Sequence, residues 1–116
     1  MSNIPFTIID WNTIPKTVHI GESGTATWQT LQYPGLRIRI VEYSQGYQSD
    51  HWCQKGHVVY CLEGEVTNEQ ENGEAVVLRP GMGYVVSDEL SSHRSKTGEK
   101  VKLLIMDGDF LKKAGD

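Results

Sequence analysis

Four side chains in this sequence have the types and spacing to hold a metal ion: His51, Cys53, His57 and His93. His51 and Cys53 are one residue apart, so on an extended strand both point to one face and Trp52 to the other. Gln54-Lys55-Gly56 reads as a three-residue turn in which Gly56 is free to take positive φ. That turn sets His57, at the head of the next strand, opposite Cys53. His93 follows the loop Asp88-Glu89-Leu90-Ser91-Ser92 and is delivered from another strand. Imidazole and thiolate together suit Zn, Fe, Ni or Cu better than Ca or Mg. The competing reading is coincidence, with polar residues falling at strand ends.

The elements that must position these residues are strands. Helical periodicity is nearly absent, and short β-rich runs are cut by Gly, Pro, Asn and Asp. Residues 25–31 are rich in β formers, and 36–43 alternate, with Leu36, Ile38 and Ile40 on one face and Arg37 and Arg39 on the other. That pattern predicts a half-buried strand with its arginines toward water. Further strands are expected at 47–53, at 57–62 continuing to Thr67, and at 75–79, 83–87, 92–96 and 101–106. Asn72-Gly73 is a hairpin signal, and Gly46, Gly64, Gly73, Gly81 and Gly83 read as turn glycines. About eight to ten strands at this spacing predict an all-β sandwich or barrel. Residues 107–114 are expected to make a short helical turn, and 1–24 an N-terminal arm or edge strands around a core of about 25–106.

Composition bounds the function. The chain has 116 residues, which predicts one domain over 1–116. Its 11 basic and 15 acidic residues give a net charge of -4, against the basic excess of a nucleic-acid binder. No apolar run approaches the ~20 residues of a membrane span. The amino terminus lacks a cationic region followed by an apolar one, so a reducing cytoplasm is the default expectation. Two cysteines make no disulfide framework.

The stretch from Gly46 to Gly64, with His51, Cys53 and His57 inside it, resembles the first motif of the cupins. There Cys53 takes the second His position and His57 the Glu position. Gly73 to Gly81 with the downstream His93 looks like the second motif, and the resemblance covers roughly residues 36–106. It is closer still to a subgroup named for an Asp-His-Cys-Trp-type motif, here ordered Asp50-His51-Trp52-Cys53; Gly21–Thr27 and Pro80–Tyr84 fit that subgroup too. The resemblance implies a single-domain antiparallel jelly-roll β-barrel that pairs as a homodimer. It also implies a divalent transition metal (Zn, Fe, Ni or Mn) at the motif positions and a small-molecule ligand or substrate. If the chain is an enzyme, a dioxygenase or isomerase is the expected class.

The site departs from the usual three His and one Glu, so three arrangements stay open. Four bound ligands make a closed, tetrahedral site. Three His without Cys53 leave open positions for metal-activated chemistry. A metal-free cluster makes a small-ligand sensor or storage barrel, and a separate reading is a structural or redox element in which Cys53 closes or modulates the site.

The remaining candidates have plainer readings. His19 is expected to be a surface or sheet histidine and Cys61 a core residue. Asp50 either orients His51 or faces water, and Trp52 is core or interface. Tyr43, Tyr47, Tyr60, Tyr84 and Trp28 either line a pocket mouth or fill the barrel wall.

Overall fold

Period-two alternation is carried furthest by the last strand, where residues 101, 103, 105 and 107 are buried and their neighbours are half-exposed. One face of such a strand must meet another layer, and the whole molecule is built on that requirement. The computed structural model describes residues 3–113. Among them are nine strands: β1 (Thr17–Ile20), β2 (Thr25–Tyr33), β3 (Leu36–Tyr43), β4 (His57–Glu63), β5 (Val66–Gln70), β6 (Ala75–Leu78), β7 (Gly83–Val86), β8 (His93–Thr97) and β9 (Val101–Gly108). They form two antiparallel sheets, one ordered β1-β2-β3-β9-β4-β7 and the other β6-β5-β8. The all-β antiparallel architecture is as expected. The jelly-roll sheets are not closed into a continuous barrel: among the described residues only the isolated bridges Ser23↔Gln48, Gln48↔Lys96 and Cys53↔His93 lie outside the named strands.

The inner faces of the two sheets make the core: Val41, Val59, Cys61, Leu103 and Ile105 from the larger sheet meet Val66 and Leu78 from the smaller. Each fully buried side chain of this kind contributes about 1.5–3 kcal/mol. Register fixes which residues share that face. Val41 pairs with Leu103, Arg39 with Ile105 and Arg37 with Asp107, and directly paired residues project to the same side.

The expected faces of β3 are therefore reversed. Arg37 and Arg39 point between the sheets with Val41 and Tyr43, whereas Leu36, Ile38 and Ile40 lie on the outer face. The strand changes its pattern midway, and Val41 and Tyr43 set the parity because they meet the second sheet. On the outer face, the Gln29 amide donates to the Trp11 and Ile14 carbonyls at 2.7 and 2.9 Å, which pins the N-terminal segment beside Ile40.

Two smaller expectations also change. Gly46, Gly64, Gly73 and Gly81 do take positive φ, but Gly83 does not. It opens β7, where a Cβ would lie 1.9 Å from the Val59 carbonyl oxygen. The helical turn shrinks to a 3-10 turn at Asp109–Leu111, and residue 114 of the expected span lies outside the described residues. Residues 17–20 pair with β2 as β1 at the edge of the larger sheet.

Candidate functional site

Residues 47–53 were expected to form a strand, but they make only bridges, and the reason decides the site. Tyr47 and Ser49 follow β8 in register, through Thr97 N–H to Tyr47 O at 2.8 Å and Ser49 N–H to Ser95 O at 3.0 Å. A regular continuation would set His51 opposite His93. Instead Cys53 and His93 exchange both backbone hydrogen bonds, at 2.7 and 2.9 Å. Two extra residues are accommodated between Ser49 and Cys53, and parity is kept. Cys53 thus takes the inward place facing His93, and Asp50-His51-Trp52 bulges outward.

The result is a cluster of Cys53, His57 and His93 whose donor atoms all lie within 4.8 Å of one another. Cys53 therefore bridges to His93 and not, as the expected hairpin had it, to His57. His57 enters from the first position of β4 and contacts the thiol side-on, with Cys53 Sγ to His57 Nε2 at 3.7 Å. Gly56 does not use positive φ. Its constraint is crowding, since a Cβ there would lie 2.5 Å from the Val86 carbonyl oxygen.

His51 lines the same cavity but stands outside this cluster. Its side chain is 74% exposed. Its Nδ1 lies 2.6 Å from the Asp50 carboxylate, so Asp50 does orient it. Trp52 is half-buried beneath the Arg94 guanidinium, 4.3 Å from its ring centre. His19 stacks on Trp28, as a sheet histidine, with centroids 3.8 Å apart. Cys61 is fully buried in the core, and both cysteines are free thiols. Trp28, Tyr43, Tyr47 and Tyr84 line the cavity, whereas Tyr60 points outward and is exposed.

Sequence reasoning missed Asp107. It is 1% exposed, at the end of β9. It accepts from Arg37 Nε and Nη2, both at 2.9 Å, from Arg39 Nη2 at 3.2 Å and from His57 Nδ1 at 3.0 Å. The signal was present, because Asp107 continues the period of Val101, Leu103 and Ile105 onto the inner face.

These contacts set the tautomers. Asp107 can only accept, so His57 donates from Nδ1 and presents Nε2 to the cluster. His93 Nδ1 lies 3.1 Å from Ser91 Oγ, and its Nε2 is buried without a partner. His57 thus presents Nε2 to Cys53 with Nδ1 held from behind, and His93 keeps Nε2 free with Nδ1 at the Ser91 hydroxyl. That is the outer arrangement typical of metal-ligating histidines. A metal at ~2.0–2.3 Å from each donor asks for donors about 3.5 Å apart, and the Cys53–His57 contact is near that spacing. The donor set therefore fits a soft or borderline divalent ion.

Electrostatics agree with an ionised thiol. The His57 imidazole bonded to the thiol, and then the His93 imidazole beside it, lower the Cys53 pKa to about 5. Burial opposes ionisation of His57, but bonding to Asp107 and Cys53 outweighs it and raises the imidazole pKa. Burial likewise works against the Asp107 carboxylate, and the bonds from His57 and Arg37 still hold it well below the usual carboxylate range. Tyr43 is pushed up to about 12 by burial, so it serves as a neutral wall.

No family model matches the chain, and no curated protein matches its sequence. Solved structures do match in fold. A cupin-2 domain protein from Rhodospirillum rubrum is 19% identical, with a TM-score of 0.71, over 96% of this chain and 80% of that one. An RmlC-like cupin from Shewanella frigidimarina is 17% identical, with a TM-score of 0.70, over 92% of each chain. The iron(II) protein Fe(II)-HppE, solved with an alternative substrate, is 15% identical, with a TM-score of 0.70, over 89% of this chain and 60% of that one. The chain therefore has the cupin fold, and at these identities the likeness is one of fold. No helix among the described residues is long and apolar enough to cross a membrane.

Proposed function

We propose that this chain is a cupin-fold metalloprotein that acts on a small molecule in the cavity between its sheets. Cys53 Sγ, His57 Nε2 and His93 Nε2 hold a divalent transition metal. His51 stands at the cavity mouth, where it becomes a further ligand only if the 50–52 bulge turns inward. The observation that carries this reading is the buried, unpartnered Nε2 of His93, on a residue whose donor lies within 4.8 Å of those of Cys53 and His57. An orphaned buried polar atom is costly, and a metal would satisfy it.

A metal held by these residues would supply Lewis-acid or redox chemistry to a small-molecule ligand. The chain's own residues do the positioning. Asp107 and Ser91 fix the two imidazoles, the bulge at 50–52 turns Cys53 inward, and the aromatic wall excludes water. That a solved neighbour carries iron(II) makes a redox metal a reasonable first ion to load. The proposal further includes one functional unit over residues 1–116, a cytoplasmic setting that keeps the thiols reduced, and pairing as a homodimer.

Metal analysis of protein purified without chelator tests the reading. Stoichiometric Zn, Fe, Ni or Mn that is lost in a His57→Ala, His93→Ala double variant is the expected result. A metal-free native protein that takes up none of these ions would overturn it. Cys53→Ser separates a thiolate ligand from a bystander: weakened binding with a changed metal preference supports ligation.

One observation favours a second reading, a metal-free ligand barrel. Cys53, His57 and Asp107 form one continuous hydrogen-bonded chain. A bound organic ligand in protein that holds no metal would establish that alternative.

A further inference from the structure

The cavity volume is about 260 Å³, near the lower end of the ~300–1,000 Å³ usual for ligand sites. Its wall includes Arg37, Arg39, Lys55 and Arg94, with no Asp or Glu. The carboxylates behind the wall do not balance these charges. Asp107 is shared among Arg37, Arg39 and His57. Arg94 is matched by Glu69 at 3.0 Å. Lys55 pairs with no carboxylate among the described residues.

Arg39 is the telling residue. It is 5% exposed, its Nε has no hydrogen-bond partner, and its guanidinium lies 4.5 Å over the Trp28 ring. A charged group withdrawn from water without a full set of partners is expensive to keep. The planar fork of an arginine matches an oxyanion, and the stacked ring holds that fork in place. Val59, Leu103 and Ile105 supply an apolar surface beside it.

We propose that the natural ligand is a small organic anion. Its charged end is received by Arg39 and Arg37, with Lys55 at the entrance, and its apolar body lies against Val59, Leu103 and Ile105. This deepens the metal-site reading and rests on it for one point, that the reacting end of the ligand faces Cys53, His57 and His93. The excess charge belongs to the chain itself, so recognition of the anion persists without metal.

The test uses benzoate, phenyl phosphate and neutral benzamide as matched probes, titrated calorimetrically into chelator-treated and zinc-loaded full-length protein. At least one anion should bind about tenfold or more tightly than benzamide, and the preferred one identifies carboxylate or phosphate as the headgroup. Arg39→Gln should erase the preference. Lys55→Gln, at an exposed position, should reduce it several-fold with the fold intact, and it decides the matter if Arg39→Gln does not fold. Benzamide binding as well as the anions, or no binding by any probe, overturns the proposal. So does an anion preference that neither substitution changes. Metal content measured on the same samples keeps the two readings apart. Anion preference without metal uptake sinks only the metal site, and stoichiometric metal without anion preference sinks only this proposal.

Discussion

The two ends of the molecule's interior are built on the same strands and do opposite things. At one end, β3, β4 and β9 contribute Val41, Cys61 and Val101 to the dry core. At the other end, the same inward columns supply Arg37, His57 and Asp107. The two cysteines mark the contrast. Cys61 is fully buried among apolar neighbours, and burial raises its thiol pKa. Cys53 faces two imidazoles, which lower its pKa to about 5. The difference teaches that one sheet face can be core and site at once. The apolar end supplies the burial that holds the sheets together. The polar end is tolerable because its charges satisfy one another.

The contrast breaks most severely at Asp107. Asp107→Ala leaves Arg37, Arg39 and His57 without their shared carboxylate in a buried setting. A loss of about 3–5 kcal/mol is expected from chemical denaturation. Metal affinity should fall ~10–100-fold as His57 loses its anchor. If the denaturation midpoint does not move, the polar end is not held by this ion cluster.

A truncation at the dry end should act on stability alone. Val101→Ala, a core residue of β9, is expected to cost about 1.5–3 kcal/mol. The folded fraction should still bind metal with unchanged stoichiometry. Loss of metal binding in that folded fraction would mean the two ends are not separable.

Acidity sharpens the comparison of the thiols. In metal-free protein, iodoacetamide should modify Cys53 readily at neutral pH, with the rate falling only as the pH drops through about 5. Cys61 should react only on unfolding. The stability effects run in opposite directions. A depressed thiol pKa contributes stability that is full above the ordinary value of 9.0 and is lost as the pH falls through about 5. The raised imidazole pKa of His57 contributes stability that is full below its ordinary value of 6.5 and is lost as the pH rises through the folded value. Melting of metal-free protein against pH should therefore peak between these limits, and Cys53→Ser should flatten the acid side.

The smallest effects are expected at the margins of the site. Ser91→Ala frees one ring nitrogen of His93 and should weaken metal binding by about tenfold at most. His51→Ala should have less effect still, because its side chain is solvent-exposed and bonded to Asp50. If His51→Ala instead abolishes metal binding, the bulge at 50–52 closes inward on loading.

Much of the fold was legible because it is local. Alternation in 101–106, the Asn72-Gly73 turn and the breaks around Pro80-Gly81 state strands and hairpins directly, and the cupin-like spacing between Gly46 and Gly64 pointed to the segment that supplies Cys53 and His57 to the cluster. What was not legible was parity and register. Nothing in Leu36-Arg37-Ile38-Arg39-Ile40-Val41-Glu42-Tyr43 tells which alternating set meets the second sheet. Two residues accommodated between Ser49 and Cys53 likewise leave no mark in composition. They exchange the inward places of His51 and Cys53.

The sequence by itself determined an all-β antiparallel chain with thiol and imidazole donors concentrated between residues 51 and 57 and a further histidine at 93. Periodicity, turn residues and donor chemistry are properties of short segments. Only the tertiary structure decided that Cys53, His57 and His93 are the residues that converge. It also decided that Asp107 anchors His57 and that two arginines face inward. Those outcomes depend on which strand lies opposite which. Pairings such as Arg37 with Asp107 join residues far apart in the chain, and burial between two sheets makes each one-residue choice of register all or none.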